Sequence, residues 1–118
     1  MANFEKYVKE KRRSYKTPGA TVTKLGTIVF NSSCSEVHVG DSVSAELYFD
    51  RGEKAIGVKF FKEERLEGYK VQRRAKGRMT FVSPRGFLTY FDIPHASTCA
   101  FPVEWDESEQ MLIIRLAK

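Results

Sequence analysis

The chain has 118 residues, a formal net charge of +5 and an apolar fraction of 42%. This length suits one domain with a modest core, and this apolar fraction is too high for a disordered chain. No stretch approaches the run of about 18 apolar residues that a membrane span needs, and no apolar segment follows the N-terminal charges of a secretion signal. The two cysteines, Cys34 and Cys99, are too few for a disulfide framework. We therefore expect a cytoplasmic protein.

The basic residues are concentrated in two parts of the sequence. Residues 1–24 hold seven basic and two acidic side chains, and residues 70–85 hold six basic side chains and no acidic one. In residues 25–69 and 86–118 the acidic side chains are in excess. A basic excess favours an acidic partner, most simply nucleic acid, although each basic segment can also be an ordinary solvated surface.

The N-terminal residues are predicted to form an amphipathic helix over 3–14, because Phe4 and Tyr7 recur at helical spacing. Residues 17–19, with the sequence Thr-Pro-Gly, separate this helix from the first strand. We therefore expect residues 1–19 to form a basic helix or arm, which docks on the domain, orders on a partner or stays mobile.

The rest of the chain contains an internal repeat of strand, short helix and hairpin. In the first copy these elements are predicted at 24–30, 32–37 and 43–60, and in the second at 75–81, 83–94 and 99–116. Such a unit cannot bury its own apolar face, but two of them can close into one barrel without edge strands. We therefore expect a mainly β fold with short helices, in which repeats 20–62 and 70–118 form a single domain over 20–118.

The two hairpins align without a gap. Asp50 and Asp106 begin their turns, and Phe49 and Trp105 precede them at equivalent places that indicate core packing. Cys99 falls on an apolar strand position and is predicted to be a small core residue.

The first strands also align, with Phe30 on Phe81. In the second copy, Ser83 is the predicted N-cap of the helix, and Phe87 belongs to its apolar face. Pro102 predicts that its strand lies at an edge or is bulged.

These motifs resemble the AbrB/MazE/SpoVT group of DNA-binding swapped-hairpin barrels. The similar features are a strand led by Lys24 and Gly26, a short helix, the turn at 40–41 and a hairpin. Residues 77–79, Gly-Arg-Met, look like that family's Gly-Arg-Ile strand, and two copies on one chain are similar to the arrangement of MraZ. Asn31 stands where the family usually has proline. The resemblance implies a pseudo-two-fold swapped-hairpin barrel that acts as a transcriptional regulator or antitoxin-like protein.

The candidate nucleic-acid-binding residues are the cations of the two basic segments. They are Lys11, Arg12, Arg13, Lys16 and Lys24 in the first segment, and Arg73, Arg74, Lys76, Arg78 and Arg85 in the second. A guanidinium fork can hold a phosphate or a guanine through two hydrogen bonds. Residues 11–24 and 70–78 precede the sequences TIVF and MTF in the first strands of the two repeats. A pseudo-two-fold axis would therefore give these two stretches equivalent places. The alternative is that these cations only protect a sheet edge.

No other chemistry assembles in the sequence. His38 and His95 lack Cys or carboxylate partners at metal-ligand spacing, and no glycine-rich phosphate loop is present. We therefore expect no catalytic residue, metal or cofactor, and not an enzyme. The most expected partner is double-stranded DNA. We expect no interaction with a membrane. A protein-interaction module such as an inhibitor or adaptor, a single-stranded nucleic-acid binder that stacks bases on Arg and Tyr, and a homo-oligomer remain alternatives.

Overall fold

The computed structural model describes residues 18–74, 79–95 and 97–116, so the helix predicted over 3–14 lies outside the described residues. The strands in this part of the chain are Gly19–Val22 (β1), Ile28–Phe30 (β2), Ser44–Asp50 (β3), Ala55–Phe61 (β4), Tyr69–Lys70 (β5), Gln72–Arg74 (β6), Met79–Val82 (β7), Cys99–Asp106 (β8) and Met111–Arg115 (β9). The helices are Ser32–Cys34 (α1), which a π-helical turn Ser35–Val39 continues, and Arg85–Tyr90 (α2).

The strands form one antiparallel sheet in the order β5-β3-β4-β9-β8-β1-β2-β7-β6. The two end strands, β5 and β6, are consecutive in the sequence, and only Val71 separates them. Val71 is buried, and its N–H donates to the carbonyl of Val43 at 2.9 Å. The sheet therefore curls into a nearly closed barrel, which confirms the prediction of a mainly β fold with short helices.

The barrel interior is filled by every second residue of the strands. Ile28, Phe30, Val58, Leu112 and Ile114 are each fully buried in one apolar cluster. Burial of a side chain of this size stabilises a fold by about 1.5–3 kcal/mol. The cluster therefore joins strands from both halves of the sequence, and neither half has a core of its own.

The two halves of the chain exchange strands. β2 pairs with β7 and β4 with β9, while β1 pairs with β8 and β5 with β3. The hairpin ends follow the same exchange, since Phe49 packs on Phe91 after α2 and Trp105 stacks on His38 after α1. Each hairpin therefore rests on the helix of the other half. The origin of the halves in a tandem repeat stays a prediction.

The two hairpin turns have the same local structure. In the first turn, the Asp50 carboxylate accepts the N–H of Glu53 at 3.0 Å, and Lys54 has a φ of 53°. In the second turn, the Asp106 carboxylate accepts the N–H of Glu109 at 3.2 Å, and Gln110 has a φ of 54°. The aligned aspartates therefore have one structural role, which is to hold the turn.

The first predicted strand of the first half is shorter than expected, and a further strand precedes it. Residues 23–27 form a turn between β1 and β2, where 24–30 was predicted to be one strand. In the second half, further strands precede β7 as well, since β6 lies within the basic segment 70–85 and β5 begins one residue before that segment, at Tyr69. The side chains of β6 are all exposed, so no apolar alternation in the sequence marks it as a strand.

The alignment of Phe81 with Phe30 was wrong by one residue. Phe30 is buried opposite Thr80, whereas Phe81 is only half-buried and faces outward opposite Val29. A shift of one residue moves a strand side chain to the other face of the sheet. Thr80 occupies the interior because its hydroxyl shares a 2.9 Å hydrogen bond with the buried Ser35 hydroxyl.

The helix of the second half begins later than predicted. Ser83 is not its N-cap, because α2 starts at Arg85 with Pro84 at the N-cap position and without a side-chain capping bond. The predicted apolar face is present, since Phe87 and Leu88 are buried.

The predictions for β8 were partly wrong. Cys99 is exposed, because β9 pairs with β8 only from Val103 onward and leaves the start of β8 uncovered on that side. β8 is an interior strand, in contrast to the predicted edge. Pro102 fits there because it lies where the pairing of β8 changes from β1 to β9. A missing N–H is tolerated at such a break in the ladder.

Candidate nucleic-acid interface

One wall of the barrel has no acidic residues. It consists of β1, β2, β7 and β6, the turn 23–27 and Arg85 at the start of α2, which packs against that turn, and we call it the acid-free wall. Residues 18–35 and 70–91, which supply this wall and α2, contain no Asp or Glu. The acidic residues of the described chain therefore lie outside this wall, and many of them are on β3, β8 and the turns of the two hairpins.

The basic excess of the chain is not spread over the barrel. The described residues hold eleven Lys and Arg against thirteen Asp and Glu, a formal charge of −2. The excess that makes the whole chain +5 is therefore carried by residues 1–17, 75–78 and 117–118. The charge available to an anionic partner depends on these segments together with the cations of the acid-free wall.

The structure brings Lys24 and Arg85 to one place. The turn 23–27 is closed by the N–H of Gly26, which donates to the carbonyl of Thr23 at 3.0 Å. Gly26 has φ +87° and lies so close to α2 that an added Cβ would be 2.9 Å from the Cβ of Arg85. Lys24 and Arg85 are both exposed. Two candidate residues from different halves thus share one end of the wall.

Arg73 and Arg74 have different surroundings because consecutive strand residues face opposite sides of a sheet. Arg73 donates from Nη2 to the carbonyl of Ser42 at 2.7 Å, so it ties β6 to the segment before β3. Arg74 lies outward, with its guanidinium 4.4 Å from the centroid of the Phe81 ring. Arg74 therefore belongs to the outer face of the acid-free wall, and Arg73 has a structural contact.

The two basic segments meet opposite ends of one strand, β7. The turn with Lys24 leads into Ile28, which pairs with Val82, while Arg74 pairs with Met79 at the other end. Met79 and Val82 are three residues apart, roughly 10 Å in a strand. Lys24 and Arg74 therefore lie toward opposite ends of β7.

The ion pairs of the described chain lie away from this wall. They join Lys62 to Asp41 (3.5 Å), Arg65 to Glu46 (3.1 Å) and Glu63 (3.5 Å), and Arg115 to Glu53 (3.4 Å) and Glu104 (3.1 Å). Within the described residues, Lys24, Arg74 and Arg85 take part in none of them. These three cations therefore keep their charge available for an external anion.

The remaining candidates cannot be placed. Lys11, Arg12, Arg13, Lys16, Lys76 and Arg78 all lie outside the described residues. Of the four that are described, the structure brings together Lys24 and Arg85, and it places Arg74 on the same wall.

The residue that the sequence did not indicate is Phe81. Its outward orientation places an aromatic ring beneath Arg74 on the acid-free wall, and Val29 flanks it on β2. The alternation Met-Thr-Phe-Val has no charged position, so it does not show which side faces the core. Only the pairing of β7 with β2 shows that Phe81 faces outward.

The structure offers no support for nucleophilic chemistry at Cys34. The thiol is fully buried, and this burial raises its pKa to about 12. A thiol with this pKa stays protonated at neutral pH, whereas the thiolate is the nucleophile. Among the described residues, no group of three or more His, Cys, Asp or Glu side chains could hold a metal ion.

Comparison of the chain with models of known protein families, with curated proteins and with solved structures finds no match. Membership of the AbrB/MazE/SpoVT group therefore stays a hypothesis that rests on the motifs. In the described part of the chain, no helix has the length and apolar character to cross a membrane.

Proposed function

We propose that this protein binds double-stranded DNA through the acid-free wall and acts in the cytoplasm as a transcriptional regulator or antitoxin-like protein. The observation that carries the proposal is the segregation of charge. One wall presents Lys24, Arg74 and Arg85 without any acidic residue, while the ion pairs lie elsewhere. An anionic polymer is attracted to such a surface.

The placement of the cations suits a duplex. Arg74 and the pair Lys24 and Arg85 lie toward the two ends of β7, at least about 10 Å apart along the strand. The major groove of B-DNA is about 12 Å wide. Cations at this separation can contact phosphates on both sides of a groove, and the basic residues of 1–17 and 75–78 would add to this binding.

Fluorescence anisotropy with a labelled duplex tests the proposal. We expect binding at low salt that weakens steeply as salt rises, because each neutralised phosphate releases counterions and adds about −0.9 to the slope of log K against log salt. Four contacts would give a slope of about −3.6. Absence of binding at low salt, or binding that does not respond to salt, would contradict the proposal.

A single-stranded nucleic acid is the second candidate, and the Arg74–Phe81 contact favours it. A half-buried outward aromatic ring with a guanidinium above it resembles the platforms on which bases stack. Competition decides between the two candidates. If an unlabelled single strand displaces the labelled duplex at a lower concentration than the unlabelled duplex does, the single strand is the preferred ligand.

A further inference from the structure

A concave site lies on the side of the barrel away from the β2–β7 ladder. It is an open pocket bordered by the end of β8, the π-helical turn, and β3 and β4, and its volume is about 500 Å³. We call it the Trp105 pocket. Pockets for small molecules typically have volumes of 300–1,000 Å³, with apolar or aromatic walls and a few polar groups.

One side of the pocket is flat and aromatic. The rings of Trp105 and His38 are nearly parallel, with an angle of 14° and 5.4 Å between centroids. The indole Nε1–H donates to the Glu107 carboxylate at 3.2 Å, which holds the ring in place. Trp105 nevertheless remains 38% exposed. A fixed and partly exposed aromatic surface of this kind suits a planar ring.

The pocket also contains a cation, Lys59, which lies across from Glu46 in the β3–β4 ladder. The nearby Glu46 carboxylate is already engaged, since it accepts from the Tyr48 hydroxyl at 2.8 Å and from Arg65 Nε at 3.1 Å. The Lys59 ammonium lies 5.7 Å from the centroid of the Tyr48 ring. It takes part in no ion pair within the described residues.

The other hairpin shows why Lys59 is less fully neutralised than its counterpart. Arg115 is its counterpart by the hairpin alignment, and Arg115 pairs with Glu104 and Glu53. The counterpart of Glu104 is Tyr48, which has no charge at neutral pH. The cation of the second hairpin therefore pairs with two carboxylates. Lys59 faces only Glu46, which Arg65 already engages, so the pocket lining holds two cations and one carboxylate.

From this geometry we infer that the Trp105 pocket binds a small aromatic carboxylate, with the ring against Trp105 and His38 and the carboxylate at Lys59. This site is separate from the acid-free wall, and it does not depend on nucleic-acid binding.

The protein contains a single tryptophan, so its indole N–H gives one resonance that reports directly on the pocket. We would titrate the full ¹⁵N-labelled chain with benzoate, and in parallel with benzamide, which keeps the ring but has no charge. We expect benzoate to shift the Trp105 indole resonance and saturate in the millimolar range, which is ordinary for so small a ligand. Benzamide should bind about tenfold more weakly, because it loses a charged hydrogen bond.

Variants of two lysines test the role assigned to Lys59. Lys59→Met should weaken benzoate binding about tenfold and leave benzamide binding unchanged. Lys59→Arg should retain benzoate binding, and it remains informative if Lys59→Met does not fold. Lys62→Met is the matched control, since Lys62 is exposed and does not line the pocket. The inference is wrong if neither compound gives a saturable shift, or if the two bind equally and Lys59→Met changes neither.

Discussion

Gly26 shows how one residue positions the proposed surface. Its φ of +87° is a conformation that residues with a Cβ rarely adopt, and the space a Cβ would need is taken by Arg85. The glycine therefore allows the turn that presents Lys24 to lie directly against α2.

Replacing this glycine should be costly. Gly26→Ala should lower the free energy of unfolding by at least about 1–2 kcal/mol, from the backbone conformation alone. Gly86→Ala is the matched control, because Gly86 lies in α2 and an added Cβ would meet nothing within 4 Å. That change should stabilise the protein by up to about 1 kcal/mol. Urea denaturation measures the free energy of unfolding of both variants. Equal changes in that free energy would contradict the role given to Gly26.

His38 makes stability depend on pH. Partial burial lowers its pKa from the usual value of 6.5. The unfolded chain therefore binds a proton at a higher pH than the folded chain does. The resulting contribution to stability is complete above about pH 6.5 and is lost as the pH falls toward the lower folded pKa.

We expect the urea concentration at the unfolding midpoint to be lower at pH 5.5 than at pH 7.5, and this decrease to be smaller in His38→Phe. Phenylalanine keeps a ring against Trp105 but cannot be protonated, and His95 is present in both proteins. If the difference in urea midpoint between the two pH values is the same in His38→Phe as in the wild type, groups other than His38 cause the pH dependence.

At the scale of elements, the hairpins were the most predictable part of the fold. Their strands alternate between apolar and polar residues, and their turns begin with Asp50 and Asp106, so pattern and turn chemistry agree. β6 was not predictable, because Gln72, Arg73 and Arg74 are all exposed and are held in the sheet by backbone pairing with β7. Backbone pairing leaves no mark on the sequence.

The seam of the barrel depends on Val71, which is 6% exposed and lies between β5 and β6. Val71→Ala should reduce the free energy of unfolding by about 2 kcal/mol, through the lost methyl groups and the cavity they leave. Val37→Ala is the control, because Val37 is 65% exposed and should change stability by less than about 0.5 kcal/mol. A similar loss in both variants would show that the seam is not closed by Val71.

At the scale of the whole molecule, the candidate site could be predicted only in part. The sequence located the cations Lys24, Arg74 and Arg85, but it could not show that β2 pairs with β7 and joins them on one wall. It also could not separate Arg73, which bonds to the Ser42 carbonyl, from Arg74. Contacts between residues so far apart in the chain follow from sheet register, which a single sequence does not record.

The most direct test of the central claim compares two double charge reversals in the DNA anisotropy titration. Lys24→Glu/Arg85→Glu changes the acid-free wall, and Lys54→Glu/Lys62→Glu changes exposed lysines elsewhere. Both variants lower the net charge equally, so only the location differs. We predict that the first weakens duplex binding roughly tenfold or more at moderate salt and lowers the salt slope, while the second stays close to the wild type. Equal weakening by both variants, or none by the first, would contradict the assignment of DNA binding to the acid-free wall.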